Sequence, residues 1–246
     1  MNNKIAIVTG ASSGIGESTA RALAKEGVKV VAVARRKDKL EALVKEIEAS
    51  GGTAWAYEAD VTGKKACEEL VSEVVKKWGR VDILINNAGV MLLGPAIGAP
   101  TDEWEKMIHL NLLGLMYMTH AALPGMKSKN AGHIINISSV AGRTTRSGSA
   151  VYNATKWGVN AFTDSLRQEL GEGKLNIRTT LIEPGLVSTE LISHNRPEVQ
   201  EAIKGRFGNI KTLQPDDIAR SIVYAVSQPD HVNVNEILIR PTEQAS

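Results

Sequence analysis

The sequence predicts a three-layer αβα sandwich on one doubly wound, seven-stranded parallel sheet, and three observations predict it. Short runs rich in Val and Ile are apolar along their length instead of alternating, as strands covered on both faces require. Longer segments of helical period separate these runs, supplying the crossovers that parallel neighbours need. The 246 residues are 43% hydrophobic and hold no Pro/Ser-rich linker, tandem repeat or low-complexity tract, which makes 1–246 a single domain with an ample core.

The elements follow in order. Residues 5–8 (IAIV) form the first strand and 17–26 the first helix, and 28–34 (VKVVAVA) with 37–49 repeat the pair. A weaker strand over 53–58 precedes a helix over 64–78, and the fourth strand, 83–85, precedes a long helix over 102–123. Strand 134–137, helix 152–170, strand 177–182, helix 215–226 and strand 237–240 complete the count of seven strands. With right-handed crossovers these strands make two mononucleotide-binding halves, the Rossmann plan. Between 188 and 213 the pattern lapses, with Pro197, Gly205 and Gly208 among charges, and this stretch is the candidate substrate lid.

Charge and composition narrow the function. Lys plus Arg number 29 against 27 Asp plus Glu, a net +2, so affinity cannot rest on bulk phosphate neutralisation and a nucleic-acid partner is not expected. The one cysteine, Cys67, forbids an intrachain disulfide and a cysteine-rich zinc site; it lies in a helical run and is assigned no role. The five histidines, at 109, 120, 133, 194 and 231, show no ligand spacing, so no metal is expected. No run approaches the roughly 20 apolar residues of a membrane span, and Met1 to Lys4 lead straight into a strand without a signal region, so the expected location is cytoplasmic.

Directly after the first strand stands Thr9-Gly10-Ala11-Ser12-Ser13-Gly14-Ile15-Gly16, opening into a helix. Glycines alone would serve a tight turn equally well. Placed between strand and helix, they let a backbone approach a pyrophosphate at the positive end of the helix dipole, which points to a dinucleotide. The second strand ends at Ala34-Arg35-Arg36, where an acid would grip the ribose 2′-hydroxyl of NAD. Ala34 has no carboxylate, and Arg35 and Arg36 suit a 2′-phosphate, so the expected cofactor is NADP(H) over NAD(H). Cations at the start of the following helix oppose its dipole, and a bound phosphate would relieve that conflict.

Tyr152-Asn153-Ala154-Thr155-Lys156 puts a phenol and an ammonium on one helical face. A nearby cation favours the phenolate and would lower the Tyr152 pKa from its ordinary value of about 10. Such a pair is common on helix surfaces, and it gains meaning from its company. TGASSGIG (9–16), NNAG (86–89), Asn111 in HLNLLG, ISS (137–139), YNATK (152–156) and PG (184–185) occur together, in an order and spacing that resemble the short-chain dehydrogenase/reductase family over nearly the whole chain. The resemblance implies a catalytic tetrad of Asn111, Ser139, Tyr152 and Lys156. Ser139 is preferred to Ser138 because its separation from Tyr152, thirteen residues, is the usual one; Ser138 would point to the other side of the extended chain and bond beneath the site.

The same resemblance implies hydride transfer between nicotinamide and a carbonyl or alcohol carbon. Tyr152 would be the acid/base, Ser139 would hold the oxygen, Lys156 would lower the tyrosine pKa and hold ribose hydroxyls, and Asn111 would anchor a water. Asp60 and Val61 would contact adenine, and Asn87, Ala88 and Gly89 the adenosine ribose, while Asn86 ties neighbouring strands together. Pro184, Gly185, Val187 and Thr189 would hold the nicotinamide amide. Substrate contacts are expected from residues 91–93, 140–145 and the lid: Leu191 with Met91, Leu92 and Leu93 as an apolar wall, and Arg143, Arg146, His194 and Arg206 either meeting a carboxylate or facing water. MLLGPAIGAPTDEW, NLLGLMYMTHAALP and EILIRPT are similar to the bacterial branch that includes clavulanate dehydrogenase. The family also implies a homotetramer, to which Leu112, Leu115 and Met116 offer apolar surface or else core. Two other readings are a catalytically silent NADP-binding redox sensor, against which the intact tetrad speaks, and an extended-branch epimerase or dehydratase, against which the GxxxGxG spacing speaks.

Overall fold

The computed structural model describes residues 1–245; Ser246 and the side chain of Arg206 lie outside the described residues. The expected sheet is present: seven parallel strands in the order β3-β2-β1-β4-β5-β6-β7. In chain order these are β1 (Ile5–Thr9), β2 (Lys29–Ala34), β3 (Thr53–Glu58), β4 (Ile83–Asn86), β5 (Gly132–Ile137), β6 (Ile177–Pro184) and β7 (Glu236–Ile239). The helices are α1 (Gly14–Lys25), α2 (Lys37–Ala49), α3 (Lys64–Trp78), α4 (Thr101–Met107), α5 (Leu115–Lys129), α6 (Ala150–Glu172), α7 (Pro197–Phe207) and α8 (Pro215–Ser227).

Alternate residues of each strand serve opposite faces. Ala6 and Val8 of β1 join Leu23, Leu40, Ile47, Ile218 and Ile222 from α1, α2 and α8 in one core layer. Ile5 and Ile7 join Leu70, Val74, Met118, Met126, Leu166 and Leu170 from α3, α5 and α6 in the other. The central strands are therefore buried on both faces, whereas the weaker patterns of β3 and β7 belong to the two sheet edges, where burial is incomplete. The order reverses between β1 and β4, and the crevice beyond the carboxyl ends of those strands is where ligands sit in open α/β sheets.

Most boundaries shift by one or two residues, and three larger differences from the sequence expectation stand out. Helix α1 begins at Gly14, so the glycine turn supplies its first turn of helix. The helix expected over 102–123 starts at Thr101, passes through a π-helical segment, Ile108–Gly114, and continues past Pro124 to Lys129. A proline removes one helical donor, but Met126 beyond it is fully buried and Asn130, left-handed at φ 47°, ends the helix with its N–H on the carbonyls of Met126 and Lys127. The stretch 188–213 is ordered into a 3₁₀ helix, Glu190–His194, and α7, and is tied at its ends by a bridge between Val187 and Leu213. Pro197 is pre-organised for the first position of α7.

Candidate active site

At its glycines the turn after β1 has little room for side chains. Gly10 and Gly14 are left-handed at φ +66° and +57°, and a Cβ at Gly16 would strike the Gly10 carbonyl oxygen and lie 2.5 Å from Asn87 Nδ2. Asn87 Nδ2 donates to the carbonyls of Thr9 (2.9 Å) and Gly10 (3.3 Å), and Thr9 Oγ1 accepts from the backbone N–H of Asn87 (3.0 Å) and Ala88 (3.1 Å). Two motifs 70-odd positions apart are thus one folded unit. Gly16→Ala is expected to cost about 1–3 kcal/mol of stability by overpacking against backbone, measured by denaturant unfolding. Ser13 caps α1 without a side-chain bond, leaving the orphan N–H groups of the first turn facing a ligand site. Asn86 ties strands and helix, donating to Asn136 Oδ1 (2.9 Å) and Thr119 Oγ1 (3.0 Å).

Ala34 closes β2, and the two arginines beyond it diverge. Arg35 is 76% exposed in its side chain and lies 4.0 Å from Asp60 Oδ2. Arg36 reaches back to the Oγ atoms of Ser12 and Ser13 and across to Glu190. Partial burial works to raise the Asp60 carboxyl, but the Thr62 N–H (3.0 Å) and hydroxyl (2.8 Å), with Arg35, hold it below the usual carboxylate range. Beside it, burial pushes the Cys67 thiol up to about 11, far from a nucleophile.

Ser139 leaves β5 in an extended conformation and caps the 3₁₀ turn Val140–Gly142, its Oγ accepting from the Ala141 N–H at 3.1 Å. The same Oγ bonds the Tyr152 hydroxyl and lies 3.4 Å from the Pro184 carbonyl. Lys156 Nζ donates to the Ile137 carbonyl at 2.9 Å and sits 5.8 Å from the centroid of the Tyr152 ring. Both side chains are buried, and this corrects the expected electrostatics. Burial pushes the Tyr152 phenol up to about 12 against the pull of its Ser139 hydrogen bond, and pushes Lys156 down to about 8. Ser138 bonds beneath the site, its hydroxyl donating to Asn160 Oδ1 at 2.5 Å.

Asn111 stands in the π-helical segment, a distortion common at functional sites. Its Oδ1 accepts from the Val90 N–H, its Nδ2 donates to the Val90 carbonyl, both at 2.8 Å, and Nδ2 also reaches Thr155 Oγ1 at 3.3 Å. Thr155 in turn donates to the Tyr152 carbonyl at 2.8 Å, so Asn111 joins the α6 turn that carries Tyr152 and Lys156 to the loop after β4.

A cleft of about 680 Å³ unites these parts. It is lined by Gly10, Ser12, Ser13, Gly14, Ile15, Ala34, Arg35, Arg36, Asp60, Val61, Asn87, Ala88 and Gly89 at one end. Ser139, Tyr152, Lys156, Pro184, Gly185, Val187 and Thr189 line it towards the other. Gly16 and Asn111 stand behind its wall. Met91, Leu93, Leu191, Arg146 and His194 also reach the cleft, with the Arg146 guanidinium 5.5 Å from the Phe207 ring of α7. Leu92 faces a minor cavity instead. Arg143, one of the residues offered for a substrate carboxylate, is consumed within the protein by Glu183 and Glu236. Leu115 is buried in a small cluster with Val159 and Leu181, against which Leu112 and Met116 pack, so Leu115 is core and not docking surface.

Four functional neighbours carried no signal in the sequence. Asn153 Nδ2 clamps the loop after Ser139 through the carbonyls of Ala141 and Thr144, both at 2.7 Å. Asn160 bridges Ser138 to Glu183. Gln244 Oε1 accepts from the Leu186 N–H at 2.9 Å and lies where a Gly185 side chain would be. Glu190 meets Arg36. Asn160, Gln244 and Glu190 are more than twenty residues from their contacts, so spacing could not reveal them, and Asn153 meets its loop only once that loop folds back over α6.

Known proteins resemble this chain in both sequence and fold. The family model for the short chain dehydrogenase matches residues 4–200. An uncharacterized oxidoreductase of Listeria innocua is 41% identical over 244 residues, covering 99% of this chain and 98% of the relative. One from Staphylococcus saprophyticus is 42% identical and covers 100% of both chains. The closed form of a serine dehydrogenase complexed with NADP+ superposes with a TM-score of 0.91 at 38% identity, covering 98% of this chain and 96% of that one. An alcohol dehydrogenase from the archaeon Thermococcus sibiricus, complexed with 5-hydroxy-NADP, gives 0.87 at 28% identity, covering 99% and 98%. With a family match over most of its length and full-length relatives at these identities, the chain belongs to the short-chain dehydrogenase/reductase family.

Proposed function

We propose that this oxidoreductase uses NADP(H) to interconvert a small aldehyde or ketone and its alcohol. The observation that carries the reading is the hydrogen-bonded pair of Ser139 and Tyr152 on the wall of a cleft whose other end is a glycine cradle. The residues fit the cofactor. The cradle excludes any Cβ at Gly10 and Gly16, the start of α1 offers uncapped N–H groups, and Ala34 places no carboxylate beside Arg35 and Arg36.

When bound, the nicotinamide supplies a hydride to the carbonyl carbon or accepts one from the alcohol carbon. Tyr152 gives its hydroxyl proton to the oxygen in reduction and recovers it in oxidation. Ser139 holds that oxygen where negative charge develops. Lys156, fixed by the Ile137 carbonyl, keeps a cation beside the phenol and holds ribose hydroxyls, and Asn111 anchors a water leading to solvent. Pro184, Gly185, Val187 and Thr189 hold the amide, Asp60 and Val61 the adenine, and the segment 188–213 closes over the substrate. We expect a homotetramer, checked by sedimentation.

A panel of aldehydes and ketones assayed with NADPH and NADH side by side tests the activity; tight nucleotide binding with no turnover across the panel would favour the silent sensor. For the cofactor, Arg35→Ala is expected to lower the NADPH/NADH ratio of kcat/KM by about tenfold or more, the worth of a charge-assisted phosphate contact. An unchanged ratio would remove Arg35 from the phosphate site.

A further inference from the structure

The basic patch beyond β2 is not free charge. Arg36 Nη1 lies 2.9 Å from Glu190 Oε2, its Nε and Nη2 donate to Ser12 Oγ at 3.1 and 3.0 Å, and Nη2 also donates to Ser13 Oγ at 2.8 Å. Glu190 comes from the 3₁₀ helix Glu190–His194, 154 positions along the chain, and it follows Thr189, whose methyl lies 3.1 Å from the place a Gly14 Cβ would occupy. The guanidinium therefore already has an anion, and that anion stands at the mouth of the glycine turn. Arg36 and Ser13 hold the Glu190 carboxyl below its ordinary range, so it is ionised at neutral pH.

We propose that Glu190 is a cofactor-discriminating residue that competes with the 2′-phosphate of NADP(H) for Arg36. The inference rests on the NADP(H) reading above. A phosphate monoester carries nearly two negative charges at neutral pH and three acceptor oxygens, against one charge on a carboxylate. The Arg36–Glu190 pair is about half exposed on both sides, the kind of ion pair that contributes little. A 2′-phosphate thus takes Arg36 from Glu190, and the remaining carboxylate opposes it by like-charge repulsion. A 2′-hydroxyl offers no such exchange, so NAD(H) leaves Arg36 on Glu190.

The test is fluorescence titration of the intact protein with NADPH and with NADH, wild type against Glu190→Gln, at low and at about 1 M salt. Glutamine keeps the shape and removes the charge. We expect NADPH to bind about threefold to fivefold more tightly to Glu190→Gln with NADH unchanged, as for an exposed charge pair, and the gain to vanish at high salt. Wild type that prefers NADPH while Glu190→Gln binds it equally or more weakly, or gains equally for both nucleotides, overturns this inference alone. Wild type that binds NADH alone, or neither nucleotide, overturns the cofactor reading as well.

Discussion

Tyr152→Phe is expected to lower carbonyl reduction by about a thousandfold or more while leaving NADPH affinity within about twofold. The substitution removes one hydroxyl and keeps the ring, whose face packs near Lys156 Nζ. Ser139 loses its partner across the cleft, and the site loses the proton that reduction delivers to oxygen. Loss of NADPH absorbance gives the rate and fluorescence titration the affinity; near-native turnover would sink the assignment of Tyr152. The pH profile follows from burial. Because the phenol is pushed up to about 12, it stays protonated through neutrality, so reduction holds its rate until Lys156, pushed down to about 8, loses its cation, whereas oxidation, which needs the phenolate, gains rate as pH rises.

Arg143→Ala is expected to cost about 1–3 kcal/mol of folding stability, the cost of leaving the buried Glu183 carboxylate short of a donor, below that of a fully buried pair because Arg143 is itself partly exposed. Glu183 is fully buried and its carboxylate is held by Arg143 Nε at 2.7 Å and Asn160 Nδ2 at 2.8 Å; Arg143 also reaches Glu236 on β7. Without the guanidinium a buried charge keeps a single neutral donor. The double variant Arg143→Met/Glu183→Gln, which removes both charges, should recover most of the loss. Denaturant midpoints read both, and a cost below about 1 kcal/mol would mean that solvent at the half-exposed Arg143 screens the pair. The clamp also bears on the site: Glu183 precedes Pro184, whose carbonyl faces Ser139 Oγ, and Asn160 holds Ser138.

Much of the site is legible before folding because its constraints are local. The glycine turn is readable from sequence since only glycine tolerates the left-handed backbone at Gly10 and Gly14, and Tyr152 with Lys156 since a helix brings residues four apart onto one face. The π-helical turn at Asn111 left no trace, because its periodicity departs from the helical pattern by one residue over a single turn. The helix expected to end at Leu123 runs on, because burial of Met126 carries α5 through Pro124.

The sequence by itself determined the order of strands and helices, the single parallel sheet and the glycine turn, for apolar periodicity and backbone sterics act between near neighbours. Tertiary structure decided the rest of the chemistry. It set Arg143 on Glu183 and not on a ligand, set Glu190 on Arg36, placed Gln244 against Gly185, and raised the Tyr152 pKa that the sequence pattern would lower. Those outcomes depend on desolvation and on partners brought together from distant parts of the chain, and neither exists until the chain has closed around them.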